Sequence, residues 1–195
     1  MTTPLTARDR AKAERADALL TEAARLFAER GYPGVSLEDI GAAVGVSGPA
    51  VYRHFTGKQA LLGAVLVKVS ADLVDGGRRV SEGTEDADDR IRALIAFHVD
   101  FALGHADVIR VHDRDLAHLS DQDRADVRRL QRAYIELWIS ALAPILDVPT
   151  DELRLRVQAC FGLINSTPHS TRSASRSKRS TAAILSAMAH AALIA

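Results

Sequence analysis

The segment 36–62, "SLEDIGAAVGVSGPAVYRHFTGKQALL", constrains this chain more than any other. Ser36 precedes Leu37, with Asp39 three residues on. That start approaches a capping box, with Asp in place of the usual Glu. It predicts a short helix over 37–43, broken by "VGVSG". A second short helix is expected over 48–54. Ser47 stands at its cap and Pro49 in its first turn, where a missing N–H costs nothing. Gly45 suits a turn that needs left-handed backbone. Two short helices joined by such a turn make a helix-turn-helix. Ile40, Val46, Val51 and Phe55 are the apolar positions that must pack inward. Gly48, Pro49, Tyr52 and Arg53 are left on other faces, with His54 near the end and Lys58 at the next helix start. Tyr52, His54 and Lys58 suit phosphate contacts, and Gly48 permits close backbone approach. On local pattern alone, two short helices that merely pack together remain the alternative.

The rest of the chain reads as helix too. Ala, Leu, Glu and Arg dominate, and no β-branched alternating run appears. Residues 9–30 place Ala16, Leu19, Leu20, Ala23, Leu26 and Phe27 on one face, and Gly31 ends them. A long helix begins near Lys58. The acidic joint "SEGTEDADD" at 81–89 follows it. Ile91, Leu94, Ile95, His98 and Ala102 share a face. One short helix and a broken segment are expected over 105–123. A long helix over 121–143 turns Val127, Leu130, Tyr134, Leu137 and Ala141 inward, and another runs over 150–166. "STPHSTRSASRSKRS" is a basic, Ser-rich loop containing Arg172, Arg176, Lys178 and Arg179, and a final helix starts near 180. The expected fold is all-α: a three-helix helix-turn-helix domain over 1–56 and a helical domain over 57–195.

Composition narrows the function. Lys and Arg total 25 against 25 Asp and Glu, so nucleic-acid binding would need a local surface rather than a polycation. A single cysteine, Cys160, excludes an intramolecular disulfide and a paired-cysteine zinc site. With an N-terminus that has no apolar signal-peptide core, it fits a cytoplasmic protein. The last 15 residues, "TAAILSAMAHAALIA", fall short of the ~20 needed to span a bilayer, so a buried helix and no membrane partner are expected. His98, His105, His112 and His118 are spaced by seven and six, which does not gather ligands on one helix face, so no metal site is assigned. No nucleophile elbow, phosphate-cradling loop or dinucleotide motif is present, and neither an enzyme nor a cofactor is expected.

Residues 36–62 closely resemble the DNA-binding signature of TetR-family transcriptional regulators, on Ser36, Ile40, Gly45-Val46-Ser47, Tyr52, His54-Phe55, Lys58 and Leu61-Leu62. The likeness reaches back through "RLFAERGYPGVS" and covers about the first third of the chain. Gly41 and Val44 depart from it, each standing where Ala is usual. The resemblance implies phosphate contacts by Ser36, Tyr52, His54 and Lys58, and groove contacts around Ser47, Gly48, Pro49 and Arg53. It implies a homodimer that binds palindromic double-stranded DNA and is released by a small effector. The last two helices would form the seam, with Ile184, Leu185, Met188 and Ala192 covered by the second subunit.

Candidate effector-binding residues are Phe97, His98, Phe101, Arg110, His112, Tyr134, Trp138, Phe161 and Asn165, a largely apolar set with a few polar groups. Each aromatic reads equally as plain core, and His98 as a core histidine with one hydrogen bond. Asn165 is a helix cap, a seam residue or a pocket residue. "RLQRAYIELW" and "FGLINSTPHS" are similar to C-terminal domains of actinobacterial regulators of acyl-CoA and lipid breakdown, which implies an acyl-CoA effector. A DNA-binding protein without an effector, and a helical enzyme on the same fold, are the other classes left open.

Overall fold

The computed structural model describes residues 6–167 and 177–195. The described residues form nine α-helices and one 3-10 turn, with no strand. The first helix, α1 (Ala7–Arg30), opens on a Thr6–Asp9 capping box and ends at Gly31. In α2 (Leu37–Ala43) Ser36 and Asp39 form the second capping box: Asp39 N–H donates to Ser36 Oγ (3.0 Å), and Ser36 N–H to Asp39 (2.8 Å). Gly45 takes φ +72°, and no atom lies near where its Cβ would sit. Backbone conformation alone therefore calls for glycine at this turn.

Helix α3 (Gly48–Val51) is shorter than the expected 48–54. Its continuation tightens into three-residue hydrogen bonds, such as His54 N–H to Val51 O at 2.9 Å, before the chain turns into α4 (Lys58–Glu82). Ser47 is at the N-cap, but its side chain makes no capping bond. The N–H of Ala50 goes instead to the Ser47 carbonyl (2.9 Å).

Two cores are packed along α4. The N-terminal one gathers Leu19, Phe27, Ile40 and Val51 with Leu61, Leu62, Val65 and Leu66 of α4, and takes in Val111, Leu119 and Val127. The other gathers Val74 with residues of α5 (Ala87–Gly104), α7 (Asp121–Leu142), α8 (Thr150–Asn165) and α9 (Lys178–Ile194). Packing thus divides within α4, not at its start. Gly77 lets α7 lie close against α4: a Cβ there would sit 2.7 Å from the Tyr134 ring. Between α5 and α7 run α6 (Ala106–Asp115) and the 3-10 turn Leu116–His118.

The apolar C-terminal segment is helix α9. It buries Leu185, Ala189 and Leu193 in the second core and is tied down by His190 Nε2 to Asp88 (2.8 Å) and Arg156 to the Leu193 carbonyl (3.1 Å). Leu185, expected at a subunit seam, is therefore already covered within the chain. No described helix is long and apolar enough to cross a membrane. Arg172 and Arg176 of the basic loop lie outside the described residues.

Candidate DNA-binding face and effector cavity

The helix-turn-helix presents one face to solvent. Ser47, Pro49, Tyr52 and Arg53 are exposed there, while Ser36, Gly48, His54 and Lys58 are half-buried. Ser36, Tyr52 and Lys58 come together around one shallow depression whose floor includes Pro33, Gly34 and Leu37. Lys58 is held rather than dangling. Its ammonium donates to the Tyr32 carbonyl (2.9 Å) and lies 4.5 Å from the centre of the Tyr32 ring. Arg53 makes no ion pair among the described residues, so its guanidinium keeps all its donors for a partner.

A cavity of about 270 Å3 lies between α4, α5, α6, α7 and α8. Of the nine residues singled out in the sequence, six line it: His98, Phe101, His112, Tyr134, Phe161 and Asn165. The other three do not. Phe97 turns away, its ring against Gly76 of α4. Arg110 lies on the outer side of α6, bonded to Asp107 at 3.2 Å. Trp138 is fully buried one layer behind the wall, edge-on to His98 and Phe161. Sequence reading missed the contributions of α4 (Val69, Ser70, Leu73), of α6 (Ile109, Asp113) and of Gln131. The four-residue step from Val69 to Leu73 on an apolar face is the signal that could have found the α4 wall.

His98 is the hub of the inner wall. It makes two hydrogen-bonding contacts rather than one: Nδ1 to Tyr134 Oη at 3.3 Å and Nε2 to Asn165 Oδ1 at 3.2 Å. An amide oxygen only accepts, so Nε2 carries the proton and Nδ1 accepts from the Tyr134 hydroxyl. Asn165 thus lines the cavity and is bonded to His98. Phe161 stacks on His98 at 4.6 Å. Burial pulls the His98 pKa down to about 4, against the smaller opposing effect of Asn165, and pushes the Tyr134 phenol up. Burial also pushes the Cys160 thiol up to about 12, so no thiolate is available there. Among the described residues no three His, Cys, Asp or Glu side chains group to hold a metal.

The His98 shift has a measurable consequence. The unfolded chain takes up this proton near the ordinary value of 6.5, whereas the folded chain resists until about 4. Stability is full above pH 6.5 and falls as the pH drops towards 4. Between about pH 7.5 and pH 5 the expected loss is about 2 kcal/mol. Urea midpoints measured over that range should fall for the wild type and stay flatter for His98→Gln. Parallel pH profiles for the two proteins would show that His98 is not buried as a neutral group.

A helix-turn-helix joined to a larger helical domain defines a class of DNA-binding transcriptional regulators. Comparison with known proteins agrees. Residues 19–65 match the family of bacterial regulatory proteins called the tetR family, and residues 84–169 match the tetracyclin repressor-like C-terminal domain. The chain belongs to the TetR family of DNA-binding transcriptional regulators. It is 38% identical over 88 residues to the HTH-type transcriptional activator FasR of Mycolicibacterium smegmatis, covering 45% of this chain and 40% of that protein. It is 27% identical over 132 residues to the HTH-type transcriptional repressor KstR2 of Rhodococcus jostii, covering 67% of this chain and 65% of that one. The matched regions thus span less than two thirds of either relative. The fold superposes on AibR, solved in complex with isovaleryl coenzyme A and operator DNA, with a TM-score of 0.73 and 21% identity, over 89% of this chain and 97% of that one.

Proposed function

We propose that this protein is a homodimeric repressor that reads a palindromic operator through its two helix-turn-helix motifs and releases it when a small effector fills the cavity. The observation that carries the reading is that two helices belong to both halves. Helix α4 gives Leu61, Leu62, Val65 and Leu66 to the N-terminal core and Val69, Ser70 and Leu73 to the cavity wall. Helix α6 lines the cavity with Ile109 and His112, and turns Val111 into the N-terminal core. Its Arg114 donates to the Phe27 and Ala28 carbonyls at the end of α1. The 3-10 turn after it sets the His118 ring against Tyr32, tilted, with centres 4.6 Å apart. An effector that shifts α6 or α4 therefore re-aims α1 and the motif packed on it. The ligand acts by favouring the arrangement whose two motifs no longer match the half-sites.

The dimer reading rests on one surface. On α9, Ala183, Ile184, Ala187, Met188, Ala191 and Ala192 are all exposed, with no charge among them. Leu155 projects from the neighbouring α8 at 65% exposure, beside 40% for Ile184 and 51% for Met188. A wholly apolar stripe on two adjacent helices is what a two-fold partner covers.

Two measurements test the regulator reading. Sheared genomic DNA retained on the protein at near-physiological salt should be enriched in a short inverted repeat near a few promoters. Tyr52→Ala should then weaken binding to that repeat by about 1–3 kcal/mol, with folding unchanged because Tyr52 is exposed. Uniform retention, or an unaffected variant, would overturn the reading of the helix-turn-helix as a specific reader.

A further inference from the structure

Among the described residues, the inner end of the cavity carries no formal charge. Its polar groups form a closed chain, Tyr134 to His98 to Asn165, and Ser70 donates its hydroxyl to the Leu66 carbonyl. Among the described residues no lysine or arginine lines the cavity, and the one carboxylate, Asp113, stands at the outer rim with its side chain 55% exposed. Around the polar chain the wall is Leu73, Phe101, Ile109 and Phe161. An ion pushed inward would lose its water and meet no counter-charge there. The neutral His98 offers none at physiological pH. The space is also modest: about 270 Å3, at the lower end of small-molecule pockets.

One face outside the cavity is mixed in charge among the described residues. A surface cleft between α1, α4, α5 and α6 shares Val69, Phe101 and Val108 with the cavity as a common wall. Glu22, Asp72, Asp100 and Asp107 line it beside Arg25, Lys68 and Arg79; Arg25 bridges Glu22 and Lys68 bridges Asp72, while Arg79 makes no ion pair among the described residues. A CoA thioester is several times larger than the cavity, so most of it would lie outside.

On the reading of the cavity as the effector site, we propose that the effector is a compact, uncharged, mostly hydrocarbon molecule that hydrogen-bonds to the Tyr134–His98–Asn165 chain. Tyr134 gives its proton to His98 and keeps an acceptor lone pair for a ligand O–H or N–H. Asn165 offers its amide N–H groups to a ligand carbonyl.

The chain's single tryptophan makes this directly measurable. Trp138 lies 6.0 Å from the His98 ring and 5.0 Å from that of Phe161, so its fluorescence reports what enters the cavity. Benzamide, benzoate and benzylammonium share one ring and differ in charge; isovaleryl CoA is the fourth probe. Benzamide should give a saturable change and bind at least tenfold tighter than either charged ring. Tyr134→Phe should weaken it several-fold, and isovaleryl CoA should bind no better than free CoA. A charged ring or the thioester binding as tightly as benzamide overturns the inference; if that probe also releases bound DNA, the effector reading survives and only the ligand class was wrong. If none of the four changes Trp138 fluorescence and DNA stays bound throughout, the effector reading falls and this inference falls with it.

Discussion

Trp138→Ala is expected to destabilise the protein by about 3–5 kcal/mol. The indole is fully buried and is the largest side chain in the C-terminal core. It stands edge-on to Tyr134 (6.1 Å), Phe161 (5.0 Å) and His98 (6.0 Å), the geometry in which aromatic pairs add to their burial. Alanine would remove the backing of three rings that form the inner wall. The surrounding helices cannot close the gap, because α4 and α7 are already in contact through Gly77. The vacated volume would join the cavity, so stability and effector fit change together. Trp138→Phe keeps most of the packing and should lose much less. Helicity followed through urea unfolding measures both variants without relying on the lost fluorophore. A loss below about 1 kcal/mol for Trp138→Ala would mean that the cavity wall does not depend on this ring. With domain stabilities of about 5–15 kcal/mol, the expected loss would leave the regulator close to its folding threshold.

The contrast between Ser36 and Ser47 shows where sequence reading held and where it stopped. Both sit at helix N-caps. Ser36 has Asp39 three residues on and completes the reciprocal cap. Ser47 has Ala50 there, and in so short a helix the Ala50 N–H turns to the Ser47 carbonyl instead. Signals confined to a few neighbouring residues were legible: the Gly31 stop, the left-handed Gly45, the apolar seams of α1 and α5. The cavity was only half legible because its wall is assembled from five helices. Phe97, His98 and Phe101 all lie on α5, yet which of them faces the cavity depends on Gly76, which leaves room on α4 for the Phe97 ring. The same holds for Trp138. Its spacing from Tyr134 puts both on one side of α7, but its depth behind the wall is set by α5 and α8. Arg110 looked like a polar handle until the rotation of α6 carried it outward to Asp107.

Replacing Ile184 and Met188 together by Glu should separate the dimer and lower operator affinity by about 10²–10⁴-fold. Both side chains are exposed on α9, outside the chain's own core, so the fold should be nearly untouched, within about 0.5 kcal/mol per site. In a two-fold seam each would meet the partner's copy of the same apolar stripe, and four buried carboxylates would be left without counter-charges. The DNA consequence follows from geometry. Two motifs held about one helical turn apart, ~34 Å, bind the second half-site as an intramolecular event. A monomer would lose that advantage while its exposed Ser47, Tyr52 and Arg53 stay unchanged. The variant should therefore sediment as a monomer with full helicity and bind a single half-site as well as the wild-type motif does. A variant that stays dimeric and holds the full operator unchanged would place the subunit seam on another surface and leave the apolar face of α9 to a different partner.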